Sequence, residues 1–177
     1  MSNLALSSTS HVVITNPPSL ALRRLPGIIL PAVVVAATLD AIFAVVAYVF
    51  VLDRYSFVGA LQYIASGLLG KAAFDGGTAT AAFGVVIHMS LAFGFAALYC
   101  IVARAVPWVR RGSGVALGLV YGAAIATLMY FLVVPLSAAP KSHDPALFIV
   151  AFLADHALCV GLPIAFLINA RLRRDLE

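Results

Sequence analysis

The chain has 177 residues, is 63% hydrophobic and only 10% charged, and has a mean hydropathy of +1.08. That balance excludes an ordinary soluble domain, in which roughly a quarter of residues carry charge. The net charge of +4 reads as membrane topology, since the basic residues cluster at the ends of apolar runs and form no nucleic-acid footprint.

Residues 1–22, "MSNLALSSTSHVVITNPPSLAL", have no basic segment ahead of an apolar core, and Pro17-Pro18 interrupts them. They read as a cytoplasmic tail, to which His11 belongs, and not as a signal peptide. Four apolar stretches follow: Gly27 to Leu52, Thr78 to Ala103, Gly114 to Leu136 and Ala146 to Ala170. Each has the ~20 residues that a helix needs to cross a bilayer. Backbone amides in lipid have no water to pair with, and the runs lack the alternation of a barrel wall, so each is expected to be a helix. The fold class is therefore all-α, an integral membrane four-helix bundle forming a single domain over 23–177.

Between the first two spans, Phe57, Leu61, Ile64, Leu68 and Ala72 recur at helical spacing. A stretch of 57–72 is too short to span, which predicts a short outer helix, either interfacial or re-entrant. Gly76-Gly77 then makes a turn, with Thr78 as a cap for the second span. In the third span Gly114, Gly118 and Gly122 recur every four residues, a smooth face for close helix packing against a span of this chain, a second copy or another subunit. Pro31 is expected in the first turn of its helix, Pro135, Pro140 and Pro145 in the outer loop, and Pro163 as a kink in the fourth span. Cys100 and Cys159 come out roughly 13 Å apart along the membrane normal, too far for a disulfide.

Arg23, Arg24, Arg104, Arg110, Arg111, Arg171, Arg173 and Arg174 fall on one side of these spans, and only Arg54, Lys71 and Lys141 on the other. The bias puts both termini in the cytoplasm, with the protein multi-pass in the cell inner membrane. Trp108 and Tyr55 fall near span ends, as interfacial aromatics do.

Ionisable residues interrupt three spans: Asp40 in the first, His88 in the second, Asp155 and His156 in the fourth. Counting from the outer ends puts His88 and His156 ~15 Å deep and Asp40 ~18 Å deep. A charge at that depth costs ~3 kcal/mol or more, so these groups are expected to face inward and pair with one another. The prediction is a buried cluster of Asp40, His88 and His156. Asp155, about 100° around an α-helix from His156, is expected to pair on a flank or to stay neutral. Four roles are open. The cluster locks helix order; or it relays a proton or ion, with Thr38, Gln62 and Ser90 as neighbours; or His88 and His156 ligate a b-type haem, with Gly84 and Gly161 leaving room for the ring; or it holds a metal with carboxylate support.

No phosphate loop, His-Glu-x-x-His, Cys-x-x-Cys or nucleophile elbow is present, so no enzyme is expected. The first and third spans share no polar pattern, which disfavours a transporter built on repeated halves. The stretches "IHMSLAFGFAALYCIVARAVP", "YGAAIATLMYFLVVPLSAAP" and "DHALCVGLPIAFLINARLRRDL" resemble uncharacterised four-helix proteins of bacterial inner membranes, and are more loosely similar to YagU-like proteins, which are associated with acid resistance. The resemblance implies a small multi-span protein in which His88, Pro135, His156 and Gly161-Leu162-Pro163 recur; the outer loop is shorter than the YagU-like one. The expected function is a non-enzymatic membrane component without a cofactor, an accessory subunit of a larger membrane complex or a homo-oligomer packing through the Gly114 face. The alternatives are a proton- or ion-linked transporter or acid-stress protein, and a haem b protein.

Overall fold

A computed structural model describes residues 24–141 and 146–174. The tail with His11, and His143 and Pro145 of the outer loop, lie outside the described residues. Those described form helices α1 (Leu25–Val51), α2 (Phe57–Asp75), α3 (Gly77–Ala105), α4 (Pro107–Arg111), α5 (Gly114–Leu136) and α6 (Ala146–Arg174), and no strand.

Five of them, all but α4, are long and apolar enough to cross a membrane. The fifth is α2, which at 19 residues exceeds the 57–72 stretch expected to be too short. Large side chains cover the outside of the bundle: Phe50, Val120, Phe131 and Leu136 are each at least 70% exposed. The centre is built instead from Ala32, Ala36, Ala37, Ala96, Ala103 and Ala165, all nearly inaccessible. Small inside and bulky outside suits lipid, because helices in a bilayer associate by close backbone packing and gain nothing by hiding leucines from one another.

Helices α1 and α3 run antiparallel. Ala37 and Asp40 meet His88 midway, while Ile28 near the start of α1 shares a buried cluster with Cys100 and Ala103 near the end of α3. Leu52 and Gly77 therefore lie at the same end of the bundle. The turn-and-helix between them stays tied to that end: Ala138 N–H donates to the Gly67 carbonyl at 3.0 Å, and Gln62 Nε2 donates to the Gly77 carbonyl at 3.1 Å and to Thr80 Oγ1 at 3.4 Å. An open cleft at this end is lined by Asp53, Arg54, Tyr63, Phe74 and Pro140. Gly70, at φ 62°, switches α2 from α-helical to 3₁₀ geometry in a conformation that costs glycine little.

The buried face of α2 is small and polar. Gln62, Ala65 and Ser66 point inward, whereas Phe57 and Leu68 are exposed. Of the apolar series, Phe57, Leu68 and Ala72 are exposed and Leu61 and Ile64 half-buried, while small and polar residues fill the packed face. Thr78 makes no cap; Thr80 Oγ1 donates to the Ala73 carbonyl at 2.6 Å and closes the turn.

Prolines explain two irregular stretches. Helix α5 widens into π geometry over Met129–Val133, just ahead of Pro135, and α6 over His156–Gly161, just ahead of Pro163. A proline ring collides with the carbonyl four residues earlier. Those carbonyls, of Phe131 and Cys159, both lie in the widened turns, which make room for the rings. Pro135 belongs to the last turn of α5, not to the loop. Because α1 starts at Leu25, Pro31 lies in its interior and Pro26 takes the first turn.

At the opposite end Asn169 Nδ2 donates to Tyr99 Oη at 3.1 Å and to the Val109 carbonyl at 3.0 Å. Arg173 Nε donates to the Arg110 carbonyl at 2.8 Å, and the same guanidinium reaches the Gly112 carbonyl. The end of α6 thus clamps the short α4 turn by satisfying its carbonyls.

Candidate functional site

The glycine row of α5 decides where α6 sits. Gly118 faces the Leu162 backbone at a distance that leaves no room for a β-carbon, Gly122 abuts the His156 carbonyl, and Gly161 abuts the backbone of Gly118 and Gly122. Gly114 meets Phe166 Cα, where an added carbon would lie at 3.2 Å. Of the occupants left open for this face, a span of the same chain, α6, fills it. This backbone-to-backbone approach also presses the widened turn at His156 into the bundle, toward α1 and α3.

Asp40 of α1, Asp155 and His156 of α6 each offer a ligand atom, and the three atoms lie within 4.8 Å of one another. His88 of α3 adjoins them: its Nδ1 lies 3.5 Å from Asp40 Oδ2. Its Nε2 lies 3.1 Å from the Ala37 carbonyl, to which only an N–H can donate. The structure brings together all four residues singled out from the sequence. Asp155 is closer in than its α-helical angle implied. It is the last α residue before the π turn, and the wider turn reduces the angle between its side chain and that of His156.

Burial is deep. Asp155 is 2% exposed and His156 8%, and the side chains of His88 and Asp40 are 18% and 14% exposed. His156 Nδ1 lies 3.1 Å from the Phe152 carbonyl. That acceptor assigns the Nδ1 proton and leaves Nε2 with its lone pair. The Phe152 ring, 4.3 Å from the imidazole centre to centre, fixes the ring plane.

Two oxygens of this centre are buried without a hydrogen bond, Asp155 Oδ1 and Tyr48 Oη. Tyr48 was not singled out from the sequence. It belongs to a π turn at the end of α1, packs on Phe148 at 5.0 Å, and lies within electrostatic reach of Asp155 and Asp40. Asp155 also neighbours Cys159. Thr38 is exposed, Ser90 bonds back to the Val86 carbonyl at 2.8 Å, and Gln62 serves the α2–α3 turn, so none of these three joins the cluster.

A haem does not fit these residues. Gly84 faces the Leu61 carbonyl and Gly161 the α5 backbone, so both intended spaces are filled by main chain. His88 already spends its two nitrogens on Ala37 and Asp40. What the arrangement can do is bind a small cation or proton between two carboxyl groups and an imidazole, in surroundings that keep water out.

Comparison with family models, with curated proteins and with solved structures finds no match. The resemblance to small inner-membrane proteins therefore lends no residue a role, and the functional argument rests on geometry.

Proposed function

We propose that the protein is a non-enzymatic, four-span membrane protein of the cell inner membrane with both termini cytoplasmic, and that it handles a cation at the Asp40–His88–Asp155–His156 centre. The spans are α1, α3, α5 and α6. The antiparallel pairing of α1 and α3 supports this count, since Leu52 and Gly77 share one end and α2 begins and finishes there. The arginines of the α4 turn and of the end of α6 share the other end, which the positive-inside tendency assigns to the cytoplasm.

One observation carries the functional reading. Asp155 is almost fully buried, faces a second carboxyl group and an imidazole, and keeps Oδ1 without a hydrogen bond. An orphaned buried acceptor costs about 1–3 kcal/mol, a cost that a bound cation would offset. Intramembrane acids and imidazoles facing one another are the usual marks of an ion or proton path. The accessory-subunit reading loses its main support, because α6 occupies the Gly114 face.

Reconstituted liposomes loaded with pH- and metal-sensitive dyes test the proposal. Cation entry should exceed that of protein-free vesicles and fall at least tenfold in Asp155→Asn. Wild-type vesicles indistinguishable from empty ones would overturn it.

A further inference from the structure

We infer that Asp40, Asp155 and His156 form a binding site for one divalent transition-metal cation of the zinc, cobalt or manganese type. The inference deepens the cation-handling reading and rests on it.

Charge comes first. Two carboxylates so close together in a low-dielectric interior repel strongly, and a dication cancels both at once. Ligand chemistry comes second. An imidazole nitrogen beside two carboxylate oxygens suits first-row transition metals, whereas magnesium and calcium favour all-oxygen shells of six or more. Three protein ligands leave an open position, as a site that exchanges its ion requires.

Orientation points the same way. Metal-bound histidines ordinarily donate the second ring N–H to a carbonyl or carboxylate, which fixes the tautomer. His156 does this through Nδ1 to Phe152, leaving Nε2 as the ligand atom. Asp40 is held through Oδ2 by His88. Tetrahedral zinc ligands sit roughly 3.3 Å apart. The present separations, all within 4.8 Å, need only small side-chain rotations to close.

The independent sign of a ligand is Asp155 Oδ1, which is buried and unbonded on a residue of the cluster, and Tyr48 Oη, within electrostatic reach of Asp155, is unbonded too. A metal ion with one bound water would satisfy both: the carboxylate as a ligand and the tyrosine through the water.

The test is a Co²⁺ titration of the full chain, purified in detergent without a histidine tag and stripped with chelator. Visible d–d bands should saturate at one Co²⁺ per chain, and Zn²⁺ should displace it. Asp155→Asn and His156→Gln should each weaken binding at least tenfold, and His88→Gln, which removes only the support of Asp40, about tenfold. Asp53→Asn, in the exposed outer turn, should bind as wild type. Each variant is compared by size exclusion, and if one fails to fold the others decide. Failure of folded wild type to bind Co²⁺, or binding that survives both Asp155→Asn and His156→Gln, overturns the inference. Vesicle measurements separate the two readings. Proton entry without metal binding removes the metal and leaves cation handling in place; stoichiometric metal binding without any cation entry retains the site and removes transport.

Discussion

Gly122 of α5 lies directly against the main-chain carbonyl of His156, with no space for a β-carbon. The depth and direction of the widened α6 turn, and with it the position of two candidate ligands, thus depend on a missing methyl group in a different helix. Gly122→Ala should force α5 and α6 apart and cost about 1–3 kcal/mol, the range for overpacking a tight contact. Gly94 of α3 has nothing within 4 Å of its would-be β-carbon, so Gly94→Ala should be neutral or stabilise by up to about 1 kcal/mol through helix propensity. Thermal unfolding in detergent compares the two; equal effects would mean that α5 and α6 are not in backbone contact.

Asp40 stands between a basic and an acidic neighbour, His88 and Asp155. Removing the base leaves the two acids facing each other, whereas removing Asp40 relieves that repulsion. His88→Gln should therefore destabilise the protein more than Asp40→Asn, and the double variant should be milder than the sum by about 0.5–3 kcal/mol. Denaturation of the three variants measures the coupling, and strict additivity would place the residues apart.

Gln62 holds the α2–α3 turn by donating to the carbonyls of Phe74 and Gly77. In Gln62→Leu the apolar volume is kept and those acceptors are orphaned, at about 1–3 kcal/mol. The loss should show as faster hydrogen exchange confined to residues 70–80, since the turn can open without the bundle. Exchange rising equally throughout the protein would mean that α2 is integral to the core.

The four-span count has its own test. Asp53 precedes α2 and Lys71 lies near its end, both exposed. In intact cells a membrane-impermeant maleimide should label Asp53→Cys and Lys71→Cys alike. Labelling of one of them only after permeabilisation would make α2 a fifth span.

Much of this was legible in advance because lipid leaves the chain few options. Continuous apolar runs had to be helices, and ionisable groups at matched depth had to face one another, so Asp40, His88 and His156 could be read directly, whereas the place of Asp155 depends on the π turn that follows it. Tyr48 could not, because a tyrosine near a span end looks like an interfacial anchor, and only the π turn at Val45–Val51 shows it buried beside the acids. The inward face of α2 was not legible from its apolar periodicity, since Gln62 and Ser66 pack and Phe57 and Leu68 do not. The glycine row was visible but its partner was not, since nothing in a repeat of small residues names the helix that fills it. Asn169, which bridges Tyr99 and Val109, gave no periodic signal at all.

The central claim is that α1 and α6 turn their acids toward one another inside the bundle. Its most direct measurement is cross-linking in native membranes of an Asp40→Cys, Asp155→Cys double variant, with Cys100 and Cys159 replaced by alanine, using a short bis-methanethiosulfonate. Rapid, quantitative linkage within one chain is the predicted result, with no linkage for an Asp40→Cys, Ser90→Cys pair. Equal reactivity of the two pairs, or no linkage between positions 40 and 155, would contradict it.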